Sequence, residues 1–281
     1  MFSHVPGALA RAILIALMVA TPALLVPSTA LDTAQIVIVL SFIAGFMTFI
    51  EYYGAYPSII EFRFAPPFNR IRFLALTTIL IALSLILRGQ GDPSVGTVAL
   101  TRLARGLGEL VDFPYSPVRL VLLMIPADAD AALVATVRMT AGLAYSVSLA
   151  MMLVFLTVVR LLGWPTRTGA FNVWVNLPLF DPTGGGDVLH RLRRDAGLNV
   201  VLGALLPFLI PAAVNTASNM IAPISIANPQ TLIWTLTAWA FLPASMLMRG
   251  IAMSRIADMI EDKRRRAYAA DAPEAKGLQR A

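Results

Sequence analysis

Six apolar segments, each long enough to cross a lipid bilayer, constrain this chain more than any other feature. A transmembrane helix needs about 20 apolar residues to cover the hydrocarbon. Only 14% of the residues are charged, against about 25% in a typical soluble domain, so lipid must cover much of the apolar surface. The sequence therefore predicts an all-α fold, a polytopic integral membrane helical bundle of about six transmembrane helices. We place the spans at about residues 8–27, 34–53, 71–87, 139–162, 198–216 and 231–248.

The positions of lysine and arginine predict the orientation, because cytoplasmic connections carry an excess of basic residues. With both termini in the cytoplasm, all but five of the 22 basic residues lie on the cytoplasmic side. Those five share one long outer connection, and long loops carry little weight in this rule. We expect a bacterial inner membrane as the simplest setting, since no organelle-import pattern is present. The net charge of +6 then indicates contact with anionic lipid heads rather than with nucleic acid.

The first apolar segment has two interpretations. Arg11, the apolar run 12–26 and then Ser28-Thr29-Ala30 also fit a secretory signal with a small-residue cleavage site, whose removal would leave five spans. The alternative is a resident first helix in a single transmembrane domain over residues 1–266. The sixth helix is expected to continue past the membrane, and residues 267–281 are expected to form a disordered cytoplasmic tail because they are small and polar.

The long outer connection is predicted to hold an amphipathic helix over about residues 97–112. Its apolar residues fall within an arc of about 120° on a helical wheel, which suits a helix lying on the membrane surface or on the roof of the protein. Residues 118–125 are apolar but too short to span, so they are expected to be re-entrant or interfacial. Asp130 is expected to cap the fourth helix, and Arg138 either to extend outward to the membrane surface or to pair with Asp130 or Asp128.

The segment from Glu51 to Arg72 is rich in aromatic residues and prolines, which indicates an ordered, non-helical loop that docks against something. It is either an interfacial anchor or a binding surface. A second inner connection, from Phe171 to Arg194, carries Asp187, which is expected to cap the next helix. The candidate surface for a partner or substrate consists of Glu51, Tyr52, Tyr53, Tyr56, Glu61, Arg63, Asn69, Arg70, Asp181 and Asp187.

The fifth span is interrupted by polar residues and prolines. Each proline frees a carbonyl one turn back, and that carbonyl needs a new partner. Such a helix faces either protein or a water-filled cavity, and helix–helix hydrogen bonding explains the same residues. The candidate cavity lining consists of Asn199, Pro207, Pro211 and Asn215, with Tyr145 and Ser148 from the fourth span.

Residues able to perform chemistry are scarce. The chain has no cysteine and two histidines, so we expect no catalytic residue, metal site or cofactor. The leading hypothesis is a non-enzymatic accessory, scaffold or assembly factor that binds a membrane-protein partner through its two inner loops. The alternative is a small-molecule transporter or permease with a cavity along the fifth helix.

One short motif suggests a third hypothesis. Residues 184–187 read Gly-Gly-Gly-Asp, which resembles the Gly-x-Gly-Asp motif of intramembrane aspartyl proteases such as prepilin peptidases. This resemblance implies a second aspartate that faces Asp187, because one carboxyl group must hold a proton while the other activates water.

Overall fold

A computed structural model describes residues 5–26, 31–126, 128–165, 171–180, 185–220 and 228–278. The fold is all-helical, 82% of it in helices and without strands in that part of the chain. In chain order the helices are α1 (Val5–Leu25), α2 (Leu31–Tyr53), α3 (Phe68–Gly91), α4 (Val95–Val111), α5 (Pro117–Val121), a 3-10 turn (Leu122–Met124), α6 (Ala131–Leu161), α7 (Val173–Asn176), α8 (Val188–Met220) and α9 (Pro229–Leu278).

Six of these helices are long and apolar enough to cross a membrane: α1, α2, α3, α6, α8 and α9. Each corresponds to one predicted span, so the predicted helical membrane bundle is confirmed. The core is formed where α3, α6 and α9 meet, and its largest buried side chains include Leu83, Phe155 and Trp239. α2 lies at the edge and packs chiefly on α1, which leaves large apolar side chains such as Phe42 exposed to lipid.

The predicted outer helix is present as α4. The hydroxyl of Ser94 accepts a hydrogen bond from the Thr97 backbone N–H and caps its start. α4 crosses α6 where Gly108 meets Gly142, so part of its apolar face packs on the bundle. Leu103 and Leu110 on the same helix stay exposed. These contacts fit the predicted position on the roof of the protein.

The connection between α4 and α6 corrects one expectation and confirms another. Arg138 pairs with Asp112 at 2.9 Å rather than with Asp130 or Asp128, and its Nε–H bond does not point along the line to the oxygen, so the contact is an ion pair without a hydrogen bond. The expected role of Asp130 is confirmed, because its carboxylate accepts from the Leu133 N–H and α6 begins at Ala131.

The short apolar segment 118–125 forms α5 and the 3-10 turn, which pack on α6 and α8. Val118 and Val121 are fully buried there. At the other end of the chain, α9 continues past the membrane-spanning length as expected and reaches Leu278. It therefore extends beyond residue 266, where the sequence predicts that the domain ends, and that boundary stays a prediction.

Candidate functional site

The two inner loops pack against each other at one end of the bundle. The backbone N–H of Phe62 donates to the carbonyl of Asn176 at 2.6 Å, and the N–H of Phe64 donates to the side-chain oxygen of Asn176 at 3.2 Å. The indole N–H of Trp164 donates to the carbonyl of Ala65 at 3.1 Å. Residues 99 to 114 positions apart along the chain are thus joined, and the loops form a single ordered surface.

Phe62 is the centre of this contact. Its ring lies 4.4 Å from Phe68, 5.6 Å from Trp164 and 6.5 Å from Phe171, measured between ring centroids. Its φ angle is 55°, a left-handed conformation that costs a bulky residue on the order of 1–3 kcal/mol and persists only where the surroundings impose it. The aromatic contacts and the bond to Asn176 impose it here.

Two charged side chains fix the first loop from within. The Glu51 carboxylate accepts hydrogen bonds from the backbone N–H groups of Ser58, Ile59 and Ile60 and from the Ser58 hydroxyl. The Arg63 guanidinium donates to the carbonyls of Glu51, Tyr52 and Gly54. Burial lowers the pKa of Arg63, but an arginine keeps its charge in proteins. Glu51 and Arg63, two members of the candidate partner surface, therefore hold the shape of the loop.

Glu61 ties the same loop to α9. Its two carboxylate oxygens accept from the Arg249 Nε at 2.5 Å and from the second guanidinium nitrogen at 2.7 Å. The Glu61 side chain is only 9% exposed, and Asn69 donates to its backbone carbonyl at 2.7 Å. Next to this pair lies Arg72, which is half-buried and within electrostatic reach of Glu61.

The second loop is held by Asp187. Its carboxylate accepts from the Leu189 N–H at 3.2 Å, which confirms the predicted helix cap, and from Arg264 of α9 at 2.9 Å. These hydrogen bonds, that of Arg264 first, lower the pKa of Asp187. Asp187 thus faces a cation. Among the described residues no group of three metal-ligating side chains is close enough to hold a metal ion.

These contacts divide the candidate partner surface into residues that face inward and residues that stay exposed. Glu51, Glu61, Arg63 and Asn69 are turned inward, and Tyr52 lies half-buried beneath Arg11 and Arg63. Tyr53, Tyr56 and Arg70 stay exposed, and Asp181 lies outside the described residues. Large exposed side chains on the first loop define what we call the aromatic patch: Tyr53, Tyr56, Ile59 and Phe64, which are 45%, 82%, 59% and 53% exposed.

The prolines of the fifth span are engaged in helix packing. Pro211 has no N–H, so the carbonyl of Pro207 lacks its helical partner, and the Trp239 indole N–H of α9 donates to it at 2.9 Å. Tyr145 stacks on the same indole with centroids 5.6 Å apart.

The remaining members of the candidate cavity lining are not drawn together by any such contact. Asn199 donates to the carbonyl of Asp195 on its own helix at 2.7 Å. Ser148 is buried with no hydrogen-bond partner for its hydroxyl, and Asn215 is half-buried. The cavity lining along α8 stays a prediction.

Several residues that organise this end were not predicted from the sequence. Phe62, Trp164 and Asn176 have no local pattern that announces a contact between two distant loops. Arg249 did carry a signal, since it follows an apolar span directly, where a charge needs a partner. No family model, curated protein or solved structure matches this chain.

Proposed function

We propose that this membrane-spanning helical protein is a non-enzymatic accessory, scaffold or assembly factor. It binds a membrane-protein partner through the aromatic patch, on the cytoplasmic side of a bacterial inner membrane. The observation that carries the proposal is the contrast within one loop. Glu51, Arg63 and the buried Phe62 fix the loop from within. The aromatic patch on the same loop is exposed.

A loop whose backbone is fixed in this way suits the binding of a partner better than catalysis. Interfaces are enriched in tyrosine and other aromatic residues, and a preorganised surface loses little conformational entropy when a partner binds. The protease hypothesis is less well supported, because Asp187 faces Arg264 and not a second carboxylate. The transport hypothesis is less well supported because the freed carbonyl of Pro207 is satisfied by Trp239 in a helix–helix contact.

Quantitative co-purification in mild detergent tests the proposal. We expect a partner to be retained by the wild-type chain and lost from a Tyr56→Ala, Phe64→Ala double variant. The Tyr115→Ala variant is the matched control, because Tyr115 is 85% exposed in the connection between α4 and α5 and should retain the partner. A chain that purifies alone, or a partner retained equally by all three proteins, would contradict the proposal.

A further inference from the structure

Arg72 is a half-buried cation at the α3–α9 contact whose guanidinium lacks a hydrogen-bond acceptor. It lies in the first part of α3, and its guanidinium carbon is 5.4 Å from the Phe68 ring centroid and 6.0 Å from that of Phe241 on α9. Its Nε is buried without a hydrogen-bond partner. Within the described chain no hydrogen bond of any kind reaches this guanidinium. A buried donor that leaves water without finding an acceptor is costly, and more so when it is charged.

The neighbouring carboxylate does not supply the missing acceptor. Glu61 lies within electrostatic reach of Arg72, but both of its oxygens are hydrogen-bonded to Arg249. Asp195 influences Arg249 as well, yet its own side chain is paired with Arg194 at 3.5 Å. Arg72, Arg249 and Glu61 together therefore carry a net positive charge.

The surroundings indicate which anion completes this cluster. Arg72 lies one turn after Phe68, the first residue of the membrane-spanning helix α3. Its free donors are therefore near the depth where this helix leaves the hydrocarbon. The anionic group found at that depth is a lipid phosphate. A planar guanidinium with five donors matches phosphate oxygens well.

We propose that Arg72, supported by Arg249, forms a phosphate-binding site at the α3–α9 junction and that its ligand is the headgroup of an anionic phospholipid. This site uses none of the exposed residues of the aromatic patch, so it is independent of the proposed partner binding. The lipid would join two helices that the Glu61–Arg249 pair already connects through the loop.

Lipid retention in native mass spectrometry tests the site, with the full chain reconstituted in nanodiscs of phosphatidylcholine and phosphatidylglycerol. We expect Arg72→Gln to weaken the retention of phosphatidylglycerol roughly tenfold, as for the loss of one charge-assisted hydrogen bond. Arg70→Gln is the matched control. It makes the same change of charge two residues away at an exposed position, and it should retain the lipid as the wild type does.

A second measurement guards against a variant that fails to fold. Phosphatidylglycerol added to the wild-type chain in neutral detergent should raise its unfolding temperature, because a ligand that binds only the folded state stabilises it. The Arg70→Gln variant should show the same rise. Stabilisation by inorganic phosphate but not by phosphatidylglycerol would assign the site to free phosphate. Wild-type protein that responds to neither, or equal lipid retention by Arg72→Gln and Arg70→Gln, would overturn the proposal.

Discussion

Glu61 is a single carboxylate on which the attachment of the first loop to α9 depends. Glu61→Gln leaves a neutral side chain of the same shape, so Arg249 loses its charged partner while the packing is kept. Because Arg249 is 28% exposed, water compensates in part, and we expect a loss of about 2–3 kcal/mol of stability rather than the full cost of breaking a buried pair. This loss of stability is measured by thermal unfolding in detergent at a fixed scan rate.

The control for this change is Glu109→Gln, since Glu109 is an exposed acid on α4 and its loss should cost less than about 0.5 kcal/mol. The double variant Glu61→Gln, Arg249→Gln should lose less than the sum of the two single variants. Additive losses would show that the two side chains do not act as a pair.

Trp239 is the residue that satisfies the carbonyl freed by Pro211. Trp239→Phe keeps an aromatic ring but removes the N–H, which leaves the buried Pro207 carbonyl without a partner. We expect a loss of about 1–3 kcal/mol beyond that of Trp234→Phe, a matched change on the same helix. In a Pro211→Ala background the helix regains its own N–H, so the penalty of Trp239→Phe should shrink. Thermal unfolding of the wild type, the three single variants and the Pro211→Ala, Trp239→Phe double variant measures these losses, and an unchanged penalty in the Pro211→Ala background would contradict the assignment.

At the scale of one residue, the sequence predicts which groups need a hydrogen-bond or ion-pair partner. It predicts less well which residue becomes that partner. It predicts that the carbonyl one turn before each proline needs a new donor, because the chemistry of proline is local. It does not predict Trp239 as that donor, since the choice depends on which helix packs there. The same holds for Arg138: the sequence indicates that this cation needs an acid, but its partner Asp112 directly follows α4 and is distant in sequence.

The contact between α4 and α6 depends on two glycines. A Cβ atom on Gly142 would lie 2.9 Å from the Gly108 backbone nitrogen and closer still to its Cα, and neither backbone can move without separating the helices. Gly142→Ala should therefore cost about 1–3 kcal/mol and loosen α4. Faster amide hydrogen exchange across residues 95–111 would report the loosening.

Gly106→Ala on α4 is the control, because a Cβ atom there meets nothing within 4 Å. It should be neutral or stabilise α4 by up to about 1 kcal/mol, the helix propensity gained over glycine. Equal exchange rates in the Gly142→Ala variant and the wild type would show that α4 does not need this close approach.

At the scale of elements, apolar length and periodicity predict the six spans and the amphipathic helix α4, because both signals lie within one helix. Helix ends are predicted less well. α6 begins at Ala131 and α8 at Val188, both before the predicted spans, since hydropathy reports immersion in lipid and not where the helical hydrogen bonds start. Caps such as Asp130 and Asp187 locate those ends better.

The whole molecule has two unlike ends, and this makes the predicted orientation testable. One end holds both loops, the start of α8 and the far half of α9, and they are joined by Glu61–Arg249 and Asp187–Arg264. The other end holds α4 and α5. Because the loops and the C-terminal part of α9 are tied together, they must lie on the same side of the membrane. The positive-inside rule predicts that this side is the cytoplasm.

Single-cysteine labelling measures which side of the membrane each end faces, since the chain has no cysteine of its own. Tyr56→Cys and Gly185→Cys should react with an impermeant maleimide only after the inner membrane is opened. Tyr115→Cys should react in intact cells once the outer barrier is permeable, because Tyr115 lies exposed at the opposite end. Labelling of Tyr56→Cys and Tyr115→Cys from the same side would contradict the packing of the bundle. The reverse pattern would keep the packing but invert the orientation, and the aromatic patch would then face a partner outside the cell.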